Sequence, residues 1–101
     1  MLESAYEHCL KYELGKQNVA VASQVALPIV YNDARIDAGY RIDLLVEDSL
    51  IVELKAVDRL RPIHEAQLLS YLRLSDKRLG LLINFNVQHL KDGIKRLAND
   101  Y

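Results

Sequence analysis

Asp43, Glu53 and Lys55 are charged side chains set among apolar ones, and their spacing decides what they could do. The stretch from Gly39 to Val57 holds two apolar runs around a polar turn, Glu47-Asp48-Ser49, which predicts a β-hairpin. Successive side chains of a strand point to opposite faces. Leu50, Val52, Leu54 and Ala56 therefore share one face of the second run, and Ile51, Glu53, Lys55 and Val57 the other. In the first run Ile42, Leu44 and Val46 line one face and Asp43 lies on the other. Burying charge is costly unless it is paired or bound to metal. One explanation is a structural ion pair, Glu53 with Lys55 or Asp43 with Arg41. The other is a cation site. Two carboxylates at ~4 Å repel by about 1 kcal/mol in water and about 4 kcal/mol at an effective dielectric of 20. A hard divalent cation relieves that repulsion, and carboxylate oxygens suit Mg²⁺.

The elements that must position these groups follow from periodicity. Leu2 to Leu14 reads as an amphipathic helix with Leu2, Ala5, Tyr6, Cys9, Leu10 and Leu14 on its apolar face. Glu7 and Lys11 form an i,i+4 pair, Gly15 stops the helix, and Cys9 is expected in the core. Val19 to Tyr31 is rich in β-formers, with Pro28 marking an edge or a bulge and Asn32-Asp33 a turn. With the hairpin, this predicts a three-stranded antiparallel meander. Pro62 suits the first turn of a second helix, Ile63 to Leu74. Ala66, Leu68, Leu69 and Leu72 form its apolar stripe, and His64, Gln67 and Tyr71 a second, polar one. Arg78 to Phe85 contains a continuous apolar run, as in a strand buried on both faces. A strand–helix–strand crossover makes it parallel to the strand of Glu53. Val87, Leu90, Ile94 and Leu97 predict a closing helix with Lys91, Lys95 and Arg96 outside. The expected order is α-β-β-β-α-β-α, an α/β fold with helices flanking a mixed four-stranded sheet.

Composition bounds the alternatives. The chain of 101 residues is the size of one small domain, 1–101, and is 50% hydrophobic and 27% charged, as ordinary globular proteins are. The formal net charge of -1 argues against a wholly basic nucleic-acid-binding surface but allows a local basic patch. One cysteine excludes an intramolecular disulfide and a cysteine-based zinc cage. No signal sequence or membrane-spanning run is visible, so a reduced, cytoplasmic compartment and no membrane partner are expected.

Asp43, then Glu53-Leu54-Lys55, then the Gln67-x-x-x-Tyr71 element together resemble the PD-(D/E)XK nuclease superfamily, and its exonuclease-like branch in the last element. More closely, the chain is similar to the small bacterial GxxExxY family. Glu3-Ser-Ala-Tyr6, and the blocks Tyr40–Val46, Ile51–Ala56, Ile63–Leu74 and Gly80–Asn86, carry that likeness over essentially the whole chain. Ile42 stands where the superfamily name has Pro, a loose position. The Gly of the GxxExxY pattern would fall just before Met1, which suggests an N-terminally truncated member. The resemblance implies a restriction-endonuclease-like core. It implies Asp43, Glu53 and the backbone carbonyl of Leu54 as ligands of Mg²⁺ or Mn²⁺, and Lys55 as holder of the metal-bound water or stabiliser of the developing charge. It gives Glu3 a role as further ligand or base, with Glu7, one turn on, as its competitor. Gln67 and Tyr71 would orient water or the substrate phosphate. His64, Arg59, Arg61, Arg73 and Arg78 are candidate phosphate contacts, each alternatively a solvated side chain.

Three functions of different class follow. The first is a metal-dependent nuclease acting on DNA in preference to RNA. The second is a catalytically silent module that keeps the fold and binds nucleic acid or a protein partner. The third is a structural homodimer whose acids form surface pairs. Fold alone does not decide among them.

Overall fold

The structure, a computed structural model, describes residues 3–99. The elements are α1 (Glu3–Lys16), β1 (Val21–Ala26), β2 (Ile29–Tyr31), β3 (Ala34–Ile36), β4 (Arg41–Val46), β5 (Leu50–Lys55), α2 (Pro62–Ser75), β6 (Leu79–Asn84), a 3-10 turn at Leu90–Gly93, and β7 (Ile94–Ala98). The main sheet has the order β1-β4-β5-β6-β7. Only β5 and β6 run parallel, joined through α2 as the crossover predicts. The other neighbours are antiparallel.

Two elements differ from the sequence-based expectation. The expected meander is interrupted, because β2 and β3 form a separate hairpin outside the main sheet and β1 pairs with β4 instead. Pro28 breaks the chain between β1 and β2, and Asn32 and Asp33 take positive φ (49° and 65°) in the tight hairpin turn. The expected closing helix is a 3-10 turn followed by β7, which makes the sheet five-stranded. Four apolar residues at helical spacing are a weak signal. Pairing with β6 offers more, since β6 would otherwise leave a row of backbone groups unpaired. The turn demands Gly93, because a Cβ there would collide with the carbonyl oxygen of Asn84.

The core lies on both faces of the sheet. Under α2, Leu27, Ile42, Ile51, Leu68, Tyr71, Leu72 and Leu82 pack together. On the α1 face Leu44, Val52, Leu54 and Ile83 pack with Leu10 and Phe85, and Tyr6 stacks on Phe85 with ring centroids 4.1 Å apart. In β5 the expected alternation holds, with Val52 and Leu54 on the α1 side and Ile51 on the α2 side. In β4 it breaks. Leu44 and Val46 belong to the α1-side core but Ile42 to the α2-side core, so these three do not share a face. The same switch occurs in β1, where Val21 packs on the α1 side and Val25 on the α2 side. Between them Gln24 has φ 51°, a left-handed conformation that costs an L-residue roughly 1–2 kcal/mol. Both strands therefore change faces at the Gln24–Asp43 level.

The first helix also corrects three expectations. It runs past Gly15, and the left-handed residue that ends it is Asn18 (φ 62°). Cys9 is exposed. Glu7 and Lys11 do not pair, because Glu7 is buried and accepts from Gln24 while Lys11 donates to Ser23 Oγ at 2.9 Å. Leu2 lies outside the described residues. Among the described residues no helix is long and apolar enough to cross a membrane.

Candidate active site

The site is built where β4 and β5 part. Their ladder runs from Val46↔Leu50 to Leu44↔Val52 and stops there. Glu47 and Asp48, both with positive φ (52° and 54°), make the turn that sets this register. In the opening beyond Leu44, the Asp43 carboxylate takes the place of a backbone acceptor, and the Leu54 N–H donates to Asp43 Oδ2 at 2.8 Å. This brings Asp43 against Glu53, and the two carboxyl groups share a hydrogen bond.

Glu53 is 4% exposed, and its Oε1 has no hydrogen-bond partner among the described residues. Burial pushes the Glu53 carboxyl up to about 9, and the adjacent Asp43 adds to the effect through its hydrogen bond and its charge. The Lys55 ammonium opposes this, as the smallest influence. The ion-pair explanation does not hold. Arg41 pairs with Asp37 at 3.2 Å, and neither Asp43 nor Glu53 is in an ion pair among the described residues. A buried carboxyl with an idle oxygen beside a second carboxylate fits a cation ligand set. Among the described residues no cluster of three or more acidic, histidine or cysteine side chains is poised around a metal position.

Two acids of α1, Glu3 and Glu7, come to this end of the sheet, but to different places. Glu3 Oε1 accepts from the Ala56 N–H at 3.3 Å and is exposed. Glu7 is buried, and its Oε1 accepts from Gln24 Nε2 at 2.6 Å. The same nitrogen lies 3.5 Å from Asp43 Oδ1. Glu7 thus stands one glutamine amide away from Asp43.

From α2, Tyr71 is buried over the carboxyl pair. Desolvation raises its phenol above the ordinary range, and the charges of Glu53 and then Asp43 raise it further. Gln67 Nε2 donates to Tyr71 Oη at 3.3 Å, so the predicted stripe holds these two together. The third member, His64, is committed to the helix start, where its Nδ1 accepts the Arg61 N–H at 2.9 Å. Removing that cap with His64→Ala should cost about 1 kcal/mol. The melting temperature should then fall by roughly 4–8 °C in a calorimetric scan. An unchanged melt would show that the bond contributes nothing.

The arginines divide by position. Arg59 and Arg61 are exposed on the loop that follows Lys55. Arg78 precedes β6, whose Leu79 pairs with Leu50 at the opposite end of β5 from Lys55, so it does not join the site. Arg73, in the last turn of α2, is exposed. Sequence reasoning assigned no role to Asn84 or Gln24. Asn84 is 2% exposed; its Oδ1 accepts from Val57 N at 3.1 Å and Asn86 N at 3.2 Å, and its Nδ2 donates to Val57 O at 2.9 Å. It ties down the chain just after Lys55. A lone amide inside the apolar run of β6 was the available signal. Nothing local marks Gln24.

A mixed sheet flanked by helices, with an acid pair where two central strands part, defines a restriction-endonuclease-like core. The family model of the PD-(D/E)XK nuclease superfamily matches residues 1–97, and the chain belongs to that superfamily. Its fold is similar to the crystal structure of LHK-Exo in complex with dAMP, with TM-score 0.60 at 14% identity, over 96% of this chain and 55% of that one. The chain thus spans little more than half the length of that neighbour. No curated protein matches it.

Proposed function

We propose that the chain is a metal-dependent nuclease of the GxxExxY type, hydrolysing phosphodiester bonds in DNA in preference to RNA, as a single cytoplasmic domain. The observation that carries this is Glu53, buried beside Asp43 with an oxygen left without a partner. Asp43, Glu53 and the Leu54 carbonyl would hold Mg²⁺ or Mn²⁺. An ion held there would supply charge neutralisation at the scissile phosphate and a water of lowered pKa. Lys55, on the face of Glu53 and at the end of β5, stabilises the charge that develops on the phosphate. Gln67 and Tyr71 orient the attacking water or the phosphate. Between the α1 acids Glu3 and Glu7, the geometry favours Glu7, because it is buried and linked to Asp43 through one amide. Arg59 and Arg61 supply backbone phosphate contacts beside the site. The dAMP of the structural neighbour supports a deoxyribonucleotide substrate.

The test is cleavage of supercoiled plasmid and of end-labelled DNA and RNA with Mg²⁺, with Mn²⁺ and with EDTA. DNA cleavage that requires the metal is the expected result. No cleavage of either nucleic acid with either metal would leave the silent nuclease-fold module as the function.

A further inference from the structure

Gln24 combines three features that an ordinary surface glutamine of a strand lacks. Its φ of 51° is left-handed in the middle of β1, where extended backbone is the norm. It stands opposite Asp43, between the pairs Ser23↔Leu44 and Val25↔Ile42, at the level where β1 and β4 both switch faces. Its Nε2 donates to Glu7 Oε1 at 2.6 Å and lies 3.5 Å from Asp43 Oδ1. One side-chain amide carries two N–H groups, so a single nitrogen serves both carboxylates. Unfavourable backbone held in place by its surroundings gathers at functional sites.

We propose that Gln24 is a positioning residue for the metal-binding carboxylates. Its kink turns Asp43 out of the β4 alternation and into the gap beside Leu54 N. Its amide holds Glu7, arriving from the α1 side, against Asp43, which meets Glu53 on the α2 side. The amide brings two like charges together without neutralising either, leaving both available to a cation. This rests on the metal-site reading above, and it adds that the site is assembled from β1 as well as from the hairpin. Residues that orient metal ligands typically change metal affinity by 10–100-fold when lost.

Two substitutions separate positioning from simple support of the strand. Gln24→Gly removes the amide but accepts positive φ without strain. Gln24→Asn also tolerates the left-handed backbone but is one methylene short of spanning both acids. MnCl₂ is titrated calorimetrically into the wild type and both variants, and each is melted in EDTA. The expected result is that Gln24→Gly melts no lower than the wild type yet binds Mn²⁺ about 10–100-fold more weakly. Gln24→Asn should fall between the two. Wild-type Mn²⁺ affinity in Gln24→Gly overturns the proposal. Should Gln24→Gly fail to fold, the Asn variant decides: wild-type affinity with an unchanged melt overturns the proposal, and weakened affinity with an unchanged melt supports it. If the wild type itself binds no Mn²⁺, the metal-site reading falls and takes this one with it, an outcome distinct from equal binding by all three proteins.

Discussion

Lys55→Met should slow phosphodiester cleavage by about 10²–10³-fold, the usual loss when a donor aimed at developing charge is removed. Lys55 is the last residue of β5 and half-buried, and among the described residues it forms no ion pair. Its carbonyl accepts the Phe85 N–H at 2.8 Å, which fixes the backbone that carries it. An ammonium held there without a permanent partner is free to meet charge that appears only in the transition state. Affinity for DNA should change little, because one lost phosphate contact softens the salt dependence by only about one counterion. The measurements are single-turnover cleavage of a labelled duplex and fluorescence anisotropy of the same duplex across a salt series. Wild-type rates in the mutant would remove Lys55 from the mechanism. An equal loss in binding and rate would make it a substrate contact instead.

The second large effect is on stability and its pH dependence. Burial, and then the neighbouring Asp43, push the Glu53 carboxyl up to about 9, against 4.5 for an ordinary glutamate in the unfolded chain. Between those values the folded protein holds a proton that the unfolded chain has released. The stability contributed by this proton is therefore complete below about 4.5 and is lost as pH rises toward 9. The decline attributable to Glu53 is of the order of a few kcal/mol, or roughly 10–25 °C in melting temperature for a domain of this size. Glu53→Gln removes that contribution, so its melting temperature in EDTA should fall less with pH and exceed the wild type's at pH 8. Mg²⁺ must displace the Glu53 proton, so its stabilisation of the wild type should grow with pH and release about one proton at neutrality. At ten times the dissociation constant the ion adds about 1.4 kcal/mol. In Glu53→Gln this response should disappear. Melts from pH 5 to 9, with EDTA and with Mg²⁺ at matched ionic strength, check all three expectations. Parallel pH profiles for the two proteins would show that Glu53 is not held protonated in the fold.

Much of this site could be read without coordinates, because local periodicity reports what each residue must do within its own element. Charged residues inside the two apolar runs of Gly39–Val57 marked Asp43, Glu53 and Lys55, and the turn between the runs ensured that the strands would be neighbours. The spacing of Gln67 and Tyr71 placed them on one side of α2, where they do meet. The apolar run after α2 required β6 to be covered on both faces and parallel to β5. Other features depended on partners far away in the chain. Residues 94–98 became a strand because β6 offered an edge, and their own spacing suggested a helix. Glu3 and Glu7 lie one turn apart on α1, and only the docking of that helix on β1, β4 and β5 sent Glu7 to Gln24 and Glu3 to Ala56. Strict alternation put Ile42, Leu44 and Val46 on one face, and a kink in a different strand undid it. That kink lies at Gln24, which local composition does not distinguish from any polar strand residue. A sequence pattern records which face a side chain prefers, but where strands part and which carboxylates meet in the gap is settled only when the strands pair.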